Sequence, residues 1–339
     1  MKTQSKFTVA FSVLLFGIGW LGIRTAQALQ KPDSPATTTD GKEGSGSAVA
    51  VPDAITTSPE EIAAAEELLQ KARAAILNER TSMQADLTQT LFASEDRKHT
   101  AQGTYVAGKF PRLKLTYTIR VGQMQGILEE VCDGQILHSR KRIAKLGAEK
   151  NSKEIEQEFT RRDVQRILAA TENATNLPLA VQVAELGIGG LPAILASIDR
   201  SMIGRKVTQE EFDGQMCQVF HGGWDPAVLE KYKKADKQFG TQMEMVLPDQ
   251  VRVYFASEAL VPVKFVYIAP QRDEKGTVVG ERVVMTFELK NVVLDKELPG
   301  NLFEYVLPNG AEEKDLTQDF IKMMKESSQA LEAPVEEKK

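Results

Sequence analysis

The sequence has few of the residues from which metal sites and disulfide frameworks are built. It contains two cysteines and three histidines in 339 residues, too few for a zinc site of several cysteines or for a network of bridges. His99, His138 and His221 are scattered, and no two of them have the close spacing of a helical metal site. We therefore expect no bound metal.

The glycines also lack the spacing that catalytic and nucleotide-binding loops require. A phosphate loop, a nucleophile elbow and a dinucleotide fingerprint each need glycines at set positions between a strand and a helix. The nearest approach is Gly187-Ile188-Gly189-Gly190, which has no lysine after it and is predicted to lie between helices. The sequence therefore predicts no catalytic residues and no cofactor, so we do not expect an enzyme.

Positive charge is not in excess either. The formal net charge is −5, which gives no electrostatic reason to bind nucleic acid. Two short basic clusters, Arg140-Lys141-Arg142 and Arg161-Arg162, are interleaved with acidic residues and are typical of a solvated face. Nucleic acid is thus excluded as an expected partner.

The N-terminus has the order of a secretory signal peptide. Lys2 and Lys6 precede an apolar run from Phe7 to Ile23, and the small-residue triplet Ala26-Gln27-Ala28 follows. An uncleaved anchor is the alternative, because a run of roughly 17 residues is at the lower limit for crossing a bilayer. We expect residues 1–28 to be removed and the mature protein to be periplasmic or secreted.

Composition divides the rest of the chain. Residues 29–57 are rich in Pro, Ser, Thr and Gly and should form a disordered linker, because they cannot bury enough apolar surface to fold. Residues 58–325 should form one globular domain, which we expect to be a monomer. Residues 326–339 have the composition of a disordered tail.

Two kinds of periodicity alternate along the domain. Ser58-Pro59-Glu60-Glu61 is a helix start, and apolar residues follow at helical spacing. A second cluster predicts that helical character continues after this helix. The residues are Ile62, Ala65, Leu69, Ala72 and Ile76 in the first group, and Met83, Leu87, Leu91 and Phe92 in the second.

A first set of strands begins near Gly103. Apolar residues from Leu113 to Val121 alternate with polar ones, as in a strand with one buried face. Ile127–Cys132 and Ile136–Ile143 are predicted to form a hairpin through the turn pair Asp133-Gly134.

The middle of the chain, from Asn151 to Met202, is predicted to be helical, with one apolar face over Leu191–Met202. Strands then resume, interrupted by a short helix at Pro226–Ala235. The predicted strands are Lys206–Phe212, Met216–His221, Val251–Ala256, Val261–Ile268 and Arg282–Leu294. This order lacks the alternation of parallel α/β folds, so we predict an α+β domain in which a curved antiparallel sheet surrounds helices.

Several phrases resemble a known family. One is similar to the family's opening helix, two to its first hairpin, one to its next turn and one to its closing phrase. In that order they are Ser82–Gln89, Gly103–Tyr105 with Phe110–Tyr117, Cys132-Asp133-Gly134 and Phe303–Gly310. Over Ala74–Thr317 the chain resembles the periplasmic lipoprotein carriers, the LolA-like family.

The resemblance implies an incomplete antiparallel β-barrel closed by helices, with an apolar cavity that receives acyl chains. It implies an acyl chain or a lipoprotein as partner and, since some relatives are sensor domains of envelope-stress regulators, a possible envelope protein partner. The chain departs from the family in two places. Gly108-Lys109-Phe110 replaces an arginine-proline pair, and the central insert Asn151–Met202 is longer.

With this fold, apolar residues of the sheet and of the last predicted helix become candidates for lipid binding. An alkyl chain would gain roughly 0.8 kcal/mol per buried methylene there. Alternatively, the same residues fill the core and the protein binds a partner through its surface. The candidates are Leu113, Leu115, Tyr117, Leu191, Ile194, Leu195, Ile198, Met202, Phe255 and Phe265. Cys132 and Cys217 remain open as a disulfide or as two buried thiols.

Overall fold

Twelve strands form a single sheet in the computed structural model of the protein. The structure describes residues 57–92, 98–147, 155–172, 190–229, 248–272 and 277–322. The predicted signal peptide, nearly all of the linker and the tail lie outside the described residues, as does Gly187–Gly189.

The described elements follow in chain order. Helices are α1 (Pro59–Ala74), which continues as a π-helical turn over Ala75–Glu79, α2 (Val164–Glu172) and α3 (Leu191–Ser201), and residues 226–229 and 317–322 are also helical. Strands are β1 (Met83–Phe92), β2 (Lys98–Ala107), β3 (Leu113–Val121), β4 (Met124–Cys132), β5 (Ile136–Lys145), β6 (Ile155–Asp163), β7 (Met202–Phe212), β8 (Gln215–Trp224), β9 (Gln250–Ala256), β10 (Pro262–Arg272), β11 (Val278–Leu294) and β12 (Lys314–Asp315).

Two antiparallel meanders make up this sheet. The strand order is β12-β6-β5-β4-β3-β2-β1-β11-β10-β9-β8-β7, so the pairing of β1 with β11 joins the early strands to the late ones. In the described part of the chain, only the two-residue contact of β12 with β6 is parallel. The edge strands β12 and β7 do not pair with each other. The predicted α+β fold, a curved antiparallel sheet that forms an incomplete barrel with helices, is confirmed.

Helix α1 begins where the sequence predicts. The Ser58 hydroxyl accepts a hydrogen bond from the Glu61 amide at 3.2 Å, and the Glu61 carboxylate accepts one from the Ser58 amide at 2.9 Å. This capping box satisfies amides that the first turn leaves free. The buried side of α1 carries Ala65, Leu68, Leu69 and Ala72 and contacts β7, β8 and α3.

The predicted helical segment after α1 is wrong. Met83, Leu87, Leu91 and Phe92 lie on strand β1, which pairs with both β2 and β11. The Ser82–Gln89 phrase, which resembles an opening helix, is therefore almost wholly strand. Side chains on β1 alternate between buried and more exposed from Met83 to Gln89, which is the period of a strand.

The hairpin prediction for β4 and β5 is confirmed. Asp133 turns the chain, because its Oδ1 accepts hydrogen bonds from the amides of Gln135 at 2.7 Å and Ile136 at 2.8 Å. Gly134 has a φ of +108°, a conformation that favours glycine. Strand β3 shows the predicted alternation, with every second residue from Leu113 to Ile119 buried.

The central insert is not wholly helical. Its first described part is strand β6, which pairs antiparallel with β5 from Ile136 to Ala144. Helix α2 then begins at Val164, and α3 covers Leu191–Ser201 as predicted. Of the short helix predicted at Pro226–Ala235, residues 226–229 are helical and the rest lies outside the described residues.

The five predicted late strands are confirmed as β7 to β11, most of them a few residues longer than predicted. The turn pair between β7 and β8 has positive φ at both residues, +52° at Asp213 and +76° at Gly214. This is the backbone of a tight hairpin turn.

The closing phrase Phe303–Gly310 packs against the early strands. The Phe303 side chain is buried and lies beside Gly108. Tyr305 stacks on His138 of β5, with ring centroids 4.4 Å apart, and His138 Nδ1 lies 2.9 Å from a Glu313 carboxylate oxygen. The C-terminal segment is thus held along β5.

One glycine allows an unusually close approach of two strands. A Cβ atom at Gly103 of β2 would lie 1.8 Å from the Thr116 carbonyl oxygen of β3, which no side chain can do. A glycine inside a strand often marks a close backbone contact, and the approach to Thr116 is such a contact.

Buried apolar residues form two clusters, one on each face of the sheet. The face of the sheet that α1 and α3 cover is the inner face. The larger cluster, the interior, consists of the residues packed between this face and the helices. The smaller one, the outer-face cluster, lies on the other side of β8–β10 and includes Cys217, Val219 and Val266. Since successive side chains of a strand point to opposite faces, β8 contributes Phe220 to the interior and Val219 to the outer-face cluster.

Candidate functional site

All ten residues predicted to contact lipid lie together in the interior. Each is at most 6% exposed, and they come from α3 and from strands that are far apart in sequence. The structure therefore brings the whole predicted set into one apolar cluster, and lipid binding by it stays a prediction. The set is Leu113, Leu115 and Tyr117 on β3, Leu191, Ile194, Leu195 and Ile198 on α3, Met202 at the start of β7, Phe255 on β9 and Phe265 on β10.

Other lining residues escaped the sequence analysis. Leu87 and Gln89 of β1, Tyr105 of β2 and Phe287 of β11 are all buried within this region. The ring of Phe287 lies 5.7 Å from that of Phe265, an edge-type aromatic contact. The alternation of buried and exposed residues along β1 and β11 could have predicted them. On β1 this alternation was not recognised, because Met83, Leu87 and Leu91 are four residues apart, a spacing that also fits a helix.

Helix α3 begins at a position that only glycine can occupy. Gly190 has a φ of +54°, and a Cβ atom there would lie 2.6 Å from the Tyr105 ring. Tyr105 also forms a hydrogen bond with the backbone of Leu191, while burial raises the pKa of its hydroxyl. The start of α3 is therefore fitted closely onto β2.

A small cavity lies beside this junction. Its volume is about 30 Å³, and it is lined by Ile76 and Leu77, by Tyr105, by residues 107, 108 and 110–113, and by Pro192. Such a space holds one or two water molecules. An acyl chain would need more room, which only a movement of side chains or of α3 could provide.

Two uncharged side chains on the inner face each have a polar atom with no hydrogen-bond partner among the described residues. These are Tyr117 Oη and Gln89 Oε1, whose residues are each 1% exposed. Gln89 Nε2 donates to Met285 Sδ at 3.0 Å, and a thioether is a weak acceptor. A buried polar group without a partner costs about 1–3 kcal/mol.

The far end of the inner face is polar but paired. Arg162 of β6 lies 3.3 Å from a Glu130 carboxylate oxygen of β4 and 4.7 Å from the Phe320 ring centroid. Burial lowers the pKa of Arg162, and the neighbouring Glu130 opposes that shift. Burial also raises the pKa of the nearby Cys132 thiol to about 11.

The two cysteines are free and separate. Cys132 belongs to the interior and Cys217 to the outer-face cluster. Because the two clusters lie on opposite faces of the sheet, the structure resolves the alternative in favour of two buried thiols.

The outer face of β7–β9 carries a second polar group of residues. Tyr254 Oη donates to Glu210 Oε2 at 2.8 Å, and Thr208 Oγ1 donates to Glu210 Oε1 at 3.1 Å. Thr208 Oγ1 also lies 2.9 Å from His221 Nε2. Because the Thr208 proton goes to Glu210, His221 Nε2 must carry a hydrogen and donate it to Thr208.

Electrostatics keep this histidine neutral. Burial, together with the positive charges of Arg252 and Lys206, lowers the pKa of His221 to about 4. A neutral histidine next to a carboxylate can belong to a metal or catalytic site, but in the described ranges no three His, Cys, Asp or Glu side chains are grouped to hold a metal ion. None of the helices in those ranges is long and apolar enough to cross a membrane.

No family model matches the chain, and no curated protein matches it. Several solved structures match the chain. The chain is similar to proteins of the LolA superfamily. It is 11% identical to LolA superfamily protein NE2245 from Nitrosomonas europaea, with a TM-score of 0.24, covering 71% of this chain and 97% of that one.

Two mycobacterial proteins give similar matches. LprF from Mycobacterium bovis is 13% identical with a TM-score of 0.33, covering 72% of this chain and 96% of LprF. The lipoprotein LppX from Mycobacterium tuberculosis is 9% identical with a TM-score of 0.34, covering 70% of this chain and 98% of LppX.

Proposed function

We propose that this is an exported, non-catalytic envelope protein that binds an acyl chain or a lipoprotein anchor between the inner face of its sheet and helix α3. The observation that carries the proposal is the interior itself, in which β3, β9, β10 and α3 present one continuous apolar lining. Such a lining offers an alkyl chain roughly 0.8 kcal/mol for each methylene that it buries.

Entry is proposed at the junction of α3 with β2. The small cavity there already separates the start of α3 from the β2–β3 turn. A chain that enlarges it would displace Pro192 and then the apolar side of α3, where Leu191, Ile194 and Leu195 lie. Binding would thus couple to a movement of one helix.

Export is part of the proposal. The signal sequence at residues 1–28 would direct the chain to the periplasm or the medium, and residues 29–57 would tether the domain. Mass spectrometry of the protein from an envelope fraction should give a chain that begins at Leu29. A chain that retains Met1 would contradict cleavage.

The binding test is displacement of an environment-sensitive fatty-acid probe by stearic acid. The Ala107→Leu variant adds bulk beside the small cavity and should slow probe uptake several-fold. Ala227→Leu is the matched control, since Ala227 is exposed on a different part of the chain, and it should leave uptake unchanged. A folded wild-type protein that gives no probe signal would rule out lipid binding.

A second function, binding of an envelope protein partner with the interior filled, is favoured by a different observation. Val278, Val279 and Val283 of β11 are 46%, 61% and 38% exposed, and neighbouring apolar side chains at a surface often mark a contact site. Mass spectrometry separates the two proposals. Lipid that co-purifies favours the first, and lipid-free protein with a partner that Val279→Asp releases favours the second.

A further inference from the structure

The inner face of β1–β3 contains an unusual pair of polar side chains. Tyr117 Oη and Gln89 Oε1 are buried, and no described residue donates to or accepts from either atom. Native proteins leave few buried polar atoms unpaired. Two of them on the same face of β1 and β3, strands that are separated only by β2, therefore require an explanation.

Register places both residues beside the same small stretch of β2. Leu87, Gly103 and Tyr117 are aligned across β1, β2 and β3, and Gln89, Ala101 and Ile119 form the next row. Residues aligned in this way share a face. The β2 residues between them are thus Gly103, which has no side chain, and Ala101, which has only a methyl group.

Both side chains of the pair are uncharged and can form hydrogen bonds. A tyrosine hydroxyl donates and accepts, and a glutamine carboxamide does the same through two different atoms. Burial raises the pKa of Tyr117 well above its ordinary value, so the hydroxyl keeps its proton. The inner-face positions of β1–β3 carry no Lys, Arg, Asp or Glu, so a charged ligand group would leave water without a counter-ion there, whereas a neutral hydroxyl would satisfy both residues.

We propose that the interior selects acyl chains that carry a hydroxyl group, which accepts a hydrogen bond from Tyr117 Oη and donates one to Gln89 Oε1 over the small residues of β2. This inference rests on the proposed acyl-chain binding. An acyl chain without a hydroxyl would leave both polar groups unpaired, and a site built for a hydroxyl discriminates against the analogue that lacks it.

The test compares stearic acid with 3-hydroxystearic and 12-hydroxystearic acid as competitors of the fatty-acid probe, using the full mature chain. At least one hydroxy acid should bind about tenfold more tightly than stearic acid, since one net hydrogen bond is worth about that factor. Tyr117→Phe and Gln89→Met should each reduce this preference, and the double variant should abolish it while stearic acid still binds.

Tyr254→Phe is the matched control, because it removes a tyrosine hydroxyl from the outer face, and it should keep the full preference. Equal affinities for all three acids in the wild type would overturn the inference and leave acyl-chain binding intact. Failure of every acid to displace a bound probe, or of the probe to bind, would overturn the proposed function itself. A preference that survives in both folded single variants and in the double variant would assign the selectivity to other residues and also overturn the inference.

Discussion

Each face of the sheet has a buried tyrosine, but the hydroxyl is hydrogen-bonded on the outer face and has no described partner on the inner face. On the outer face, Tyr254 donates to Glu210, which also accepts from Thr208, and His221 completes the group. On the inner face, Tyr117 lies in an apolar cluster with no partner among the described residues. The outer hydroxyl stabilises the fold, whereas the inner one costs stability. At this position the inner face therefore contributes less to the stability of the fold than the outer face does.

The largest expected effect tests how tightly the inner face is packed. Leu195 of α3 is fully buried, so Leu195→Ala should lower the free energy of unfolding by about 2–5 kcal/mol. Ile203→Ala, at a residue that is 37% exposed, should change it by less than about 0.5 kcal/mol. Urea unfolding measures both. Equal effects would mean that α3 is not part of the core.

The next effect tests the outer face through pH. The pKa of His221 is lowered from 6.5 to about 4, so between these values the unfolded chain binds a proton that the folded chain does not. Stability should therefore be complete above pH 6.5 and fall as the pH decreases toward 4. From pH 7 to pH 5 the loss should be about 1–2 kcal/mol, after allowance for partial solvent exposure. In His221→Gln this part of the pH dependence should disappear. If the unfolding free energy of the variant falls with pH as steeply as that of the wild type, His221 is not its cause.

A smaller effect compares the two tyrosines directly. Tyr254→Phe removes a hydrogen bond to Glu210 and should destabilise the lipid-free protein by about 1 kcal/mol. Tyr117→Phe removes an unpaired hydroxyl and should leave stability unchanged or raise it slightly. Thermal unfolding of the two variants measures the difference. Destabilisation by both to the same extent would mean that Tyr117 has a partner, such as a buried water.

The smallest effect concerns the thiols, one on each face. Cys132 and Cys217 are buried and free, and burial raises the pKa of both, so neither should react readily with a thiol reagent. Two thiols should react after denaturation without reductant. Their absence under those conditions would indicate a disulfide and contradict the separation of the two clusters.

Local patterns explain why β3 was predictable and β1 was not. In β3 every buried residue is large and apolar, so the alternation is visible from Leu113 onward. In β1 the buried positions include Ala85 and Gln89, and the remaining apolar residues Met83, Leu87 and Leu91 are spaced by four. That spacing also fits a helix, and only pairing with β2 and β11 decides between the two.

Strand β6 was missed for a different reason. Its sequence, IEQEFTRRD, is mostly charged, and it lies next to the sheet edge, where the only further pairing is with the two residues of β12. Such a strand buries little apolar surface, so it lacks the hydrophobic signal that sequence patterns use. Cross-strand pairs such as Lys141 with Glu158 favour it instead.

The candidate site was predictable in its apolar part only. The ten residues predicted to bind lipid, which were chosen by their apolar spacing together with the family resemblance, are all buried together. The unpaired atoms of Tyr117 and Gln89 could not be predicted, because the lack of a partner depends on every neighbour in three dimensions. Their two strands are separated by β2, and Gln89 was placed on a helix.

The space inside the protein depends partly on Gly103, although this residue has no side chain that lines the interior. The backbones of β2 and β3 meet there so closely that a methyl group would collide with the Thr116 carbonyl oxygen. Any larger residue would push these two strands apart and so change the shape of the inner face between them. Variation at this one position could therefore resize the interior while every lining side chain stayed the same.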